Sequence, residues 1–218
     1  MLTEMEEHSE IYLTADEFET IRADPRLAAL LTLARIVNAL NFCFRATLRS
    51  TDDKSPAGRR DYLNSFLFAC GILYEGLKVA NTLGKHFKDR PSFRKGFGVL
   101  LADPETKKLG RTVLDPMRNK IVFHYDEDVT TTTLRNLNFE SYVFLASHGE
   151  KLGEVHYRLA DEVAINFIIG DPGSREQEER VLRDATITIS SVLTKFVRCA
   201  DELIGDMLEE TNWARREV

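Results

Sequence analysis

Three cysteines, six prolines, twelve glycines and a single tryptophan in 218 residues leave several protein classes without material. Cys43, Cys70 and Cys199 are odd in number, widely spaced and set among apolar neighbours. They read as buried reduced thiols, and neither a disulfide framework nor a paired-cysteine zinc site can be drawn from them. The sequence has no glycine-rich phosphate loop ending in Lys-Ser/Thr, no GxGxxG, no HExxH and no GxSxG. Most nucleotide-hydrolysing, redox and zinc chemistry is thereby excluded. The five histidines, at positions 8, 86, 124, 148 and 156, are not spaced as ligands on one helix face, so neither metal nor cofactor is expected.

No apolar run reaches the roughly 20 residues that cross a bilayer. The densest stretch, 66–80, is broken by Gly71, Glu75, Gly76 and Lys78. The acidic start, Met1 to His8, lacks the basic and apolar regions of a secretory signal. A cytoplasmic protein that does not insert in membranes is the expectation.

What is present is ordinary globular composition, 43% hydrophobic and 29% charged, at a length that buries a core without staples. One domain over 1–218 is expected, with 1–23 as an N-terminal extension and 139–172 as an insertion-like segment. The net charge of −6 argues against coating nucleic acid by charge alone. Between Lys85 and Lys120, however, ten basic residues stand against four acidic ones, a local +6. Such a run is either a set of solvated helix faces or the footprint of a polyanion.

Helix signals recur along the chain. Thr14 with Glu17 forms a capping box, and Asp24-Pro25 opens a long amphipathic helix with Leu27, Leu30, Leu31, Ala34, Val37, Asn41, Phe44 and Leu48 as its apolar face. Residues 50–58 read as a polar loop. From Arg59 to about Lys85 the pattern is apolar on nearly every side, which suits a central helix; Glu75 is its one mid-helix acid. A shorter helix follows over 91–101, and Asp103-Pro104 opens the next. Pro116 inside that helix predicts a kink or a fresh start capped by Asp115. Asp126 to Asp128 and Thr130 to Thr133 end one element and cap another.

Over 142–159, Tyr142 to Ser147 and the alternation Val155, Tyr157, Leu159 suit a small β-hairpin, with a helix as the alternative for the first part. Residues 162–169 are short and end at Gly170-Asp-Pro-Gly173. Ser174 with Gln177 then caps a helix of more than thirty residues carrying Leu182, Ala185, Ile189, Val192, Phe196, Cys199, Leu203 and Met207. The sum is a mainly α, up-down bundle of five or six helices.

One segment carries chemistry. Arg118-Asn119 is followed, after four residues, by His124. His124 supplies a group that titrates near neutrality and can take or give a proton. The planar, always-ionised guanidinium of Arg118 can hold an oxyanion through two parallel hydrogen bonds. The Asn119 amide would orient phosphate or imidazole. On a regular helix six residues separate Arg118 from His124 by about 9 Å and about 120°. Either the helix breaks near His124 or a second subunit completes the cleft. Glu75 would either pair with Arg118 or reach solvent at the bundle edge.

The stretch from Leu114 to Tyr125 resembles the Arg-x(4–6)-His motif of the HEPN superfamily (higher eukaryotes and prokaryotes nucleotide-binding domains), in which a polar residue, often Asn, follows the Arg. The resemblance implies an all-helical bundle, commonly a homodimer. It implies a metal-independent ribonuclease of the defence or toxin–antitoxin type, with Arg118, Asn119 and His124 as catalytic residues. RNA and a cognate antitoxin or other partner protein would be its partners. Members that have lost catalysis act as helical binding or dimerisation modules for a protein or nucleotide, which is the alternative here.

Overall fold

The computed structural model describes residues 14–123, 126–137, 145–146, 156–170 and 175–210. Eight helices run through these residues, and no strand is formed among them. The first, α1 (Ala15–Ile21), begins at the expected capping box: the Thr14 hydroxyl accepts from the Glu17 N–H while the Glu17 carboxylate accepts from the Thr14 N–H. Asp24 caps α2 (Pro25–Thr51) through the Arg26 N–H, and Arg26 beside it holds the Asp24 carboxyl below its usual range. Ser55 caps α3 (Pro56–Phe87). The expected loop over 50–58 therefore shrinks to four residues, because Pro56 at the first helical position already starts the next helix.

Residues 91–102 form α4, in which a π-helical stretch, Arg94–Gly98, is flanked by α-helical turns. Residues 104–122 form α5, capped by Asp103, with π-helical stretches at Gly110–Leu114 and Arg118–Val122. Proline in a regular helix lacks one N–H and clashes with the carbonyl four residues back. Here the wider i→i+5 turns on either side of Pro116 accommodate it, so the helix is distorted but not restarted. Asp115 is accordingly not a cap: Leu114 and Asp115 both keep helical dihedrals.

Asp126 caps α6 (Glu127–Asn136) by accepting from the Val129 N–H, and the threonines 130–133 lie inside that helix. Helix α7 (Arg158–Ile169) ends at Gly170, whose φ of 76° is the left-handed backbone that glycine adopts freely. Helix α8 (Arg175–Glu210) is the longest. Of the hairpin expected over 142–159, the described residues keep a lone bridge at His156 and a hydrogen bond from the Leu159 N–H to the Leu145 carbonyl at 3.5 Å, while Leu159 itself sits in the first turn of α7. Residues 142–144 and 147–155 of that hairpin, Ser174 of the second capping box, residues 1–13 of the proposed N-terminal extension and half of the 139–172 insertion lie outside the described residues.

Helices α2 and α3 pair along their lengths, and α8 lies against both as well as against α4, α5 and α7. Their shared core contains Leu33, Leu40, Leu73, Phe87, Phe97, Phe196 and Leu203, each essentially without solvent contact. Each such side chain stabilises the fold by roughly 1.5–3 kcal/mol. Phe97 and Phe196 meet edge to face at 5.3 Å. From Ile189 onward the expected face of α8 is the buried one, with Val192, Phe196, Cys199, Leu203 and Met207. On α2 the buried stripe is Leu30, Leu33, Val37, Leu40 and Cys43, rotated from the expected one, and Leu31, Phe42, Phe44 and Leu48 are exposed. All three cysteines are free and buried, and burial pushes their thiols up in pKa.

Helices α2 and α3 are long enough and, averaged over a window, apolar enough to cross a membrane, although neither contains an unbroken apolar run of that length. Half of that window in α3 is buried inside the bundle, which is how a core helix passes the same test.

Candidate functional site

Helices α3 and α5 run antiparallel, and the register between them builds the site. Tyr74 stands beside Asp115, Glu75 beside Arg118, and Gly71 beside Val122 and Phe123. A Cβ at Gly71 would lie 2.9 Å from Phe123 Cε2 and 3.1 Å from Val122 Cγ1. Glycine there lets the end of α5 close onto α3 and sets the separation at which Glu75, one turn on, meets Arg118.

The polar side chains join in one chain of contacts. Arg118 Nε is 2.7 Å from Glu75 Oε1. Arg118 Nη1 donates to Asn119 Oδ1 at 2.7 Å, and Asn119 Nδ2 donates to Asp115 Oδ1 at 2.8 Å. The Asp115 carboxylate accepts from the Tyr74 hydroxyl and so holds the phenol above its usual pKa. Lys78 Nζ sits 3.2 Å from the other Glu75 oxygen and 5.5 Å from the Tyr74 ring centre. The Arg118 guanidinium carbon lies 5.8 Å from the centre of the Phe123 ring. The charge contact at Nε and the hydrogen bond from Nη1 hold the Arg118 guanidinium between Glu75 and Asn119. Its side chain is only 28% exposed.

Tyr74, Lys78 and Asp115 also line a groove of about 550 Å³ between α3 and α5, to which Lys107 and Arg111 add positive charge. The spacing of Lys107, Arg111, Asp115 and Arg118 by three or four residues puts them along one side of α5. Part of the local +6 therefore borders a groove, while Lys88, Arg94, Lys95 and Lys108 are solvated.

Arg118 and Asn119 are brought together, and of the two roles open to Glu75 it takes the ion pair. Asn119 has both ends of its amide engaged within the cluster, orienting Arg118. His124 lies outside the described residues. Helical structure stops at Val122, Phe123 leaves it with φ −120°, and the Asp126 N–H returns to the Lys120 carbonyl at 2.9 Å. The helix thus ends directly before the motif's histidine position. Tyr74, Lys78 and Asp115 were not picked out by the sequence as site residues. Their signal was the spacing from Glu75 and Arg118, which acquires meaning only once the α3–α5 register is known. Among the described residues no three His, Cys, Asp or Glu side chains are grouped to hold a metal ion.

No family, characterised protein or solved structure matches this chain.

Proposed function

We propose that the chain is a HEPN-like helical protein that cleaves RNA without a metal ion, using Arg118, Asn119 and His124. The single observation that carries this reading is the guanidinium of Arg118, held between Glu75 and Asn119 and joined through Asn119 to Asp115, which with Lys78, Lys107 and Arg111 lines the neighbouring groove. A pre-oriented guanidinium stabilises developing phosphate charge without reorganising during the reaction.

In the proposed reaction His124 takes the proton of a ribose 2′-hydroxyl, the 2′-oxygen attacks phosphorus, and the 5′-oxygen leaves. The products are a 2′,3′-cyclic phosphate and a 5′-hydroxyl. The departing oxygen needs a proton, which the imidazole of a second copy supplies in a homodimer. Leu31 and Phe42, eleven residues apart and so on one face of α2, are 57% and 67% exposed, which favours an association of copies.

A non-catalytic binding module is the second reading, favoured by the same Glu75 pair, since a carboxylate already on the guanidinium competes with phosphate. Structured RNA incubated with the protein in EDTA separates the two. Cleavage abolished by both Arg118→Ala and His124→Ala supports the nuclease. Inert wild-type protein that still binds RNA supports the module.

A further inference from the structure

A second cavity, of about 690 Å³, lies where the α2–α3 turn meets α7, and it shares no lining residue with the groove between α3 and α5. Its volume falls in the range of about 300–1,000 Å³ usual for small-molecule sites. Tyr62, Leu63, Phe66 and Ile165 give it an apolar wall, and Arg59 stands at it without an ion-pair partner among the described residues.

His156, only 6% exposed, lines the same cavity. Its Nε2 lies 2.7 Å from Asp161 Oδ2. An ionised carboxylate only accepts hydrogen bonds, so the proton between them sits on Nε2. In the neutral ring Nδ1 is then an acceptor. That atom is buried and has no hydrogen-bond partner among the described residues. Buried polar atoms are satisfied in the great majority of cases, and one left open beside a cavity is completed by whatever enters it.

Asp161 lies in the first turn of α7, so the carboxylate that orients the ring is itself positioned by the helix. The arrangement has an oriented acceptor, an aromatic and aliphatic wall, and a cation available for an anionic group.

We propose that this cavity is a ligand-binding site for a small aromatic carboxylic acid bearing a hydroxyl or amino donor. The donor hydrogen-bonds to His156 Nδ1, the ring packs on Tyr62 and Phe66, and the carboxylate pairs with Arg59. The site is independent of any activity at Arg118.

The test uses 4-hydroxyphenylacetate as probe, with phenylacetate, lacking the donor, and 4-cresol, lacking the acid, as its two truncations. Binding to the full chain is followed by ligand-observed NMR and calorimetry. Each truncation should weaken binding about tenfold or more, the loss expected when a buried polar group is left unmatched. Arg59→Gln, a change at an exposed residue that leaves the core intact, should abolish the difference between 4-hydroxyphenylacetate and 4-cresol. His156→Phe should abolish the difference between 4-hydroxyphenylacetate and phenylacetate. If His156→Phe fails to fold, the ¹⁵N shift of Nδ1 in the wild-type ring reports instead, moving from its free-acceptor position when the probe binds. Absence of binding at millimolar probe, or binding indifferent to Arg59→Gln and without a change at Nδ1, overturns the proposal.

Discussion

Arg118 Nε and Glu75 Oε1 stand 2.7 Å apart across the α3–α5 interface, and the pair is neither fully buried nor fully solvated. Side-chain exposures of 28% and 35% put it in the regime where an ion pair adds less than about 1 kcal/mol to stability. Its larger effect is on orientation. Glu75→Ala should therefore leave the melting midpoint nearly unchanged while lowering RNA cleavage by up to about a hundredfold, since misplacement of a catalytic group by about 1 Å has that consequence. Glu75→Gln, which still accepts a hydrogen bond, should fall between. Paired thermal melts and initial rates check this. A collapse of stability with unchanged specific activity of the folded fraction would identify the pair as structural.

The core has a more severe constraint at Gly76, where a Cβ would come within 2.8 Å of Phe196 Cζ and 3.1 Å of Ile36 Cγ2. Phe196 has no room to yield, because its other side meets Phe97 edge to face. Gly76→Ala should destabilise by about 1–3 kcal/mol, the usual range for overpacking. Gly205 in α8 has nothing within 4 Å of the point where an alanine methyl would stand, and Gly205→Ala should stabilise by about 0.5–1 kcal/mol through the lost flexibility of the unfolded chain. Denaturant titrations of the two variants should move in opposite directions.

These contrasts mark what the sequence makes legible. Helix starts are local chemistry, and Thr14, Asp24 and Asp103 cap the helices that their side chains signal, because a cap is decided within four residues. The core face of α8 follows from a regular apolar rhythm. The face of α2 does not, since Leu31 and Phe42 are as apolar as Leu33 and Leu40 and only the position of α3 and α8 decides which are covered. Pro116 signals a disturbance in the helix, but its relief by i→i+5 turns depends on packing of α5 against α3. The pairing of Glu75 with Arg118 could be entertained from one isolated acid on an apolar helix. Asp115 and Tyr74 join the site only through the antiparallel register, and His156 meets Asp161 only because α7 begins between them.

Tyr74 provides a pH signature for the same interface. Its hydroxyl donates to the Asp115 carboxylate, which disfavours the phenolate and raises the folded-state pKa above the unfolded one. The neutral form is the one that folding favours. The contribution is therefore complete below about pH 10, the unfolded value, and is lost as pH rises through the raised pKa. Melting midpoints taken at pH 8 and pH 11 should fall more for the wild type than for Tyr74→Phe, whose ring cannot ionise. Equal losses in the two proteins would show that the hydroxyl does not meet Asp115 in solution.

The groove itself can be interrogated through salt. A cation that neutralises one phosphate of single-stranded RNA releases condensed counterions and adds about 0.7 to the slope of log affinity against log salt. Lys107 and Arg111 are exposed groove residues on α5, one turn apart. In a His124→Ala background, which holds the RNA uncut, Lys107→Gln and Arg111→Gln should each reduce that slope by about 0.7, and the double variant by about twice as much. Arg180→Gln, on the exposed surface of α8, should leave the slope as it is. Fluorescence anisotropy across a salt series reads all four. A slope that responds equally to Arg180 and to the groove residues would mean that RNA meets the chain through diffuse charge, and the alignment of Lys107 and Arg111 toward Arg118 would then be without consequence for binding.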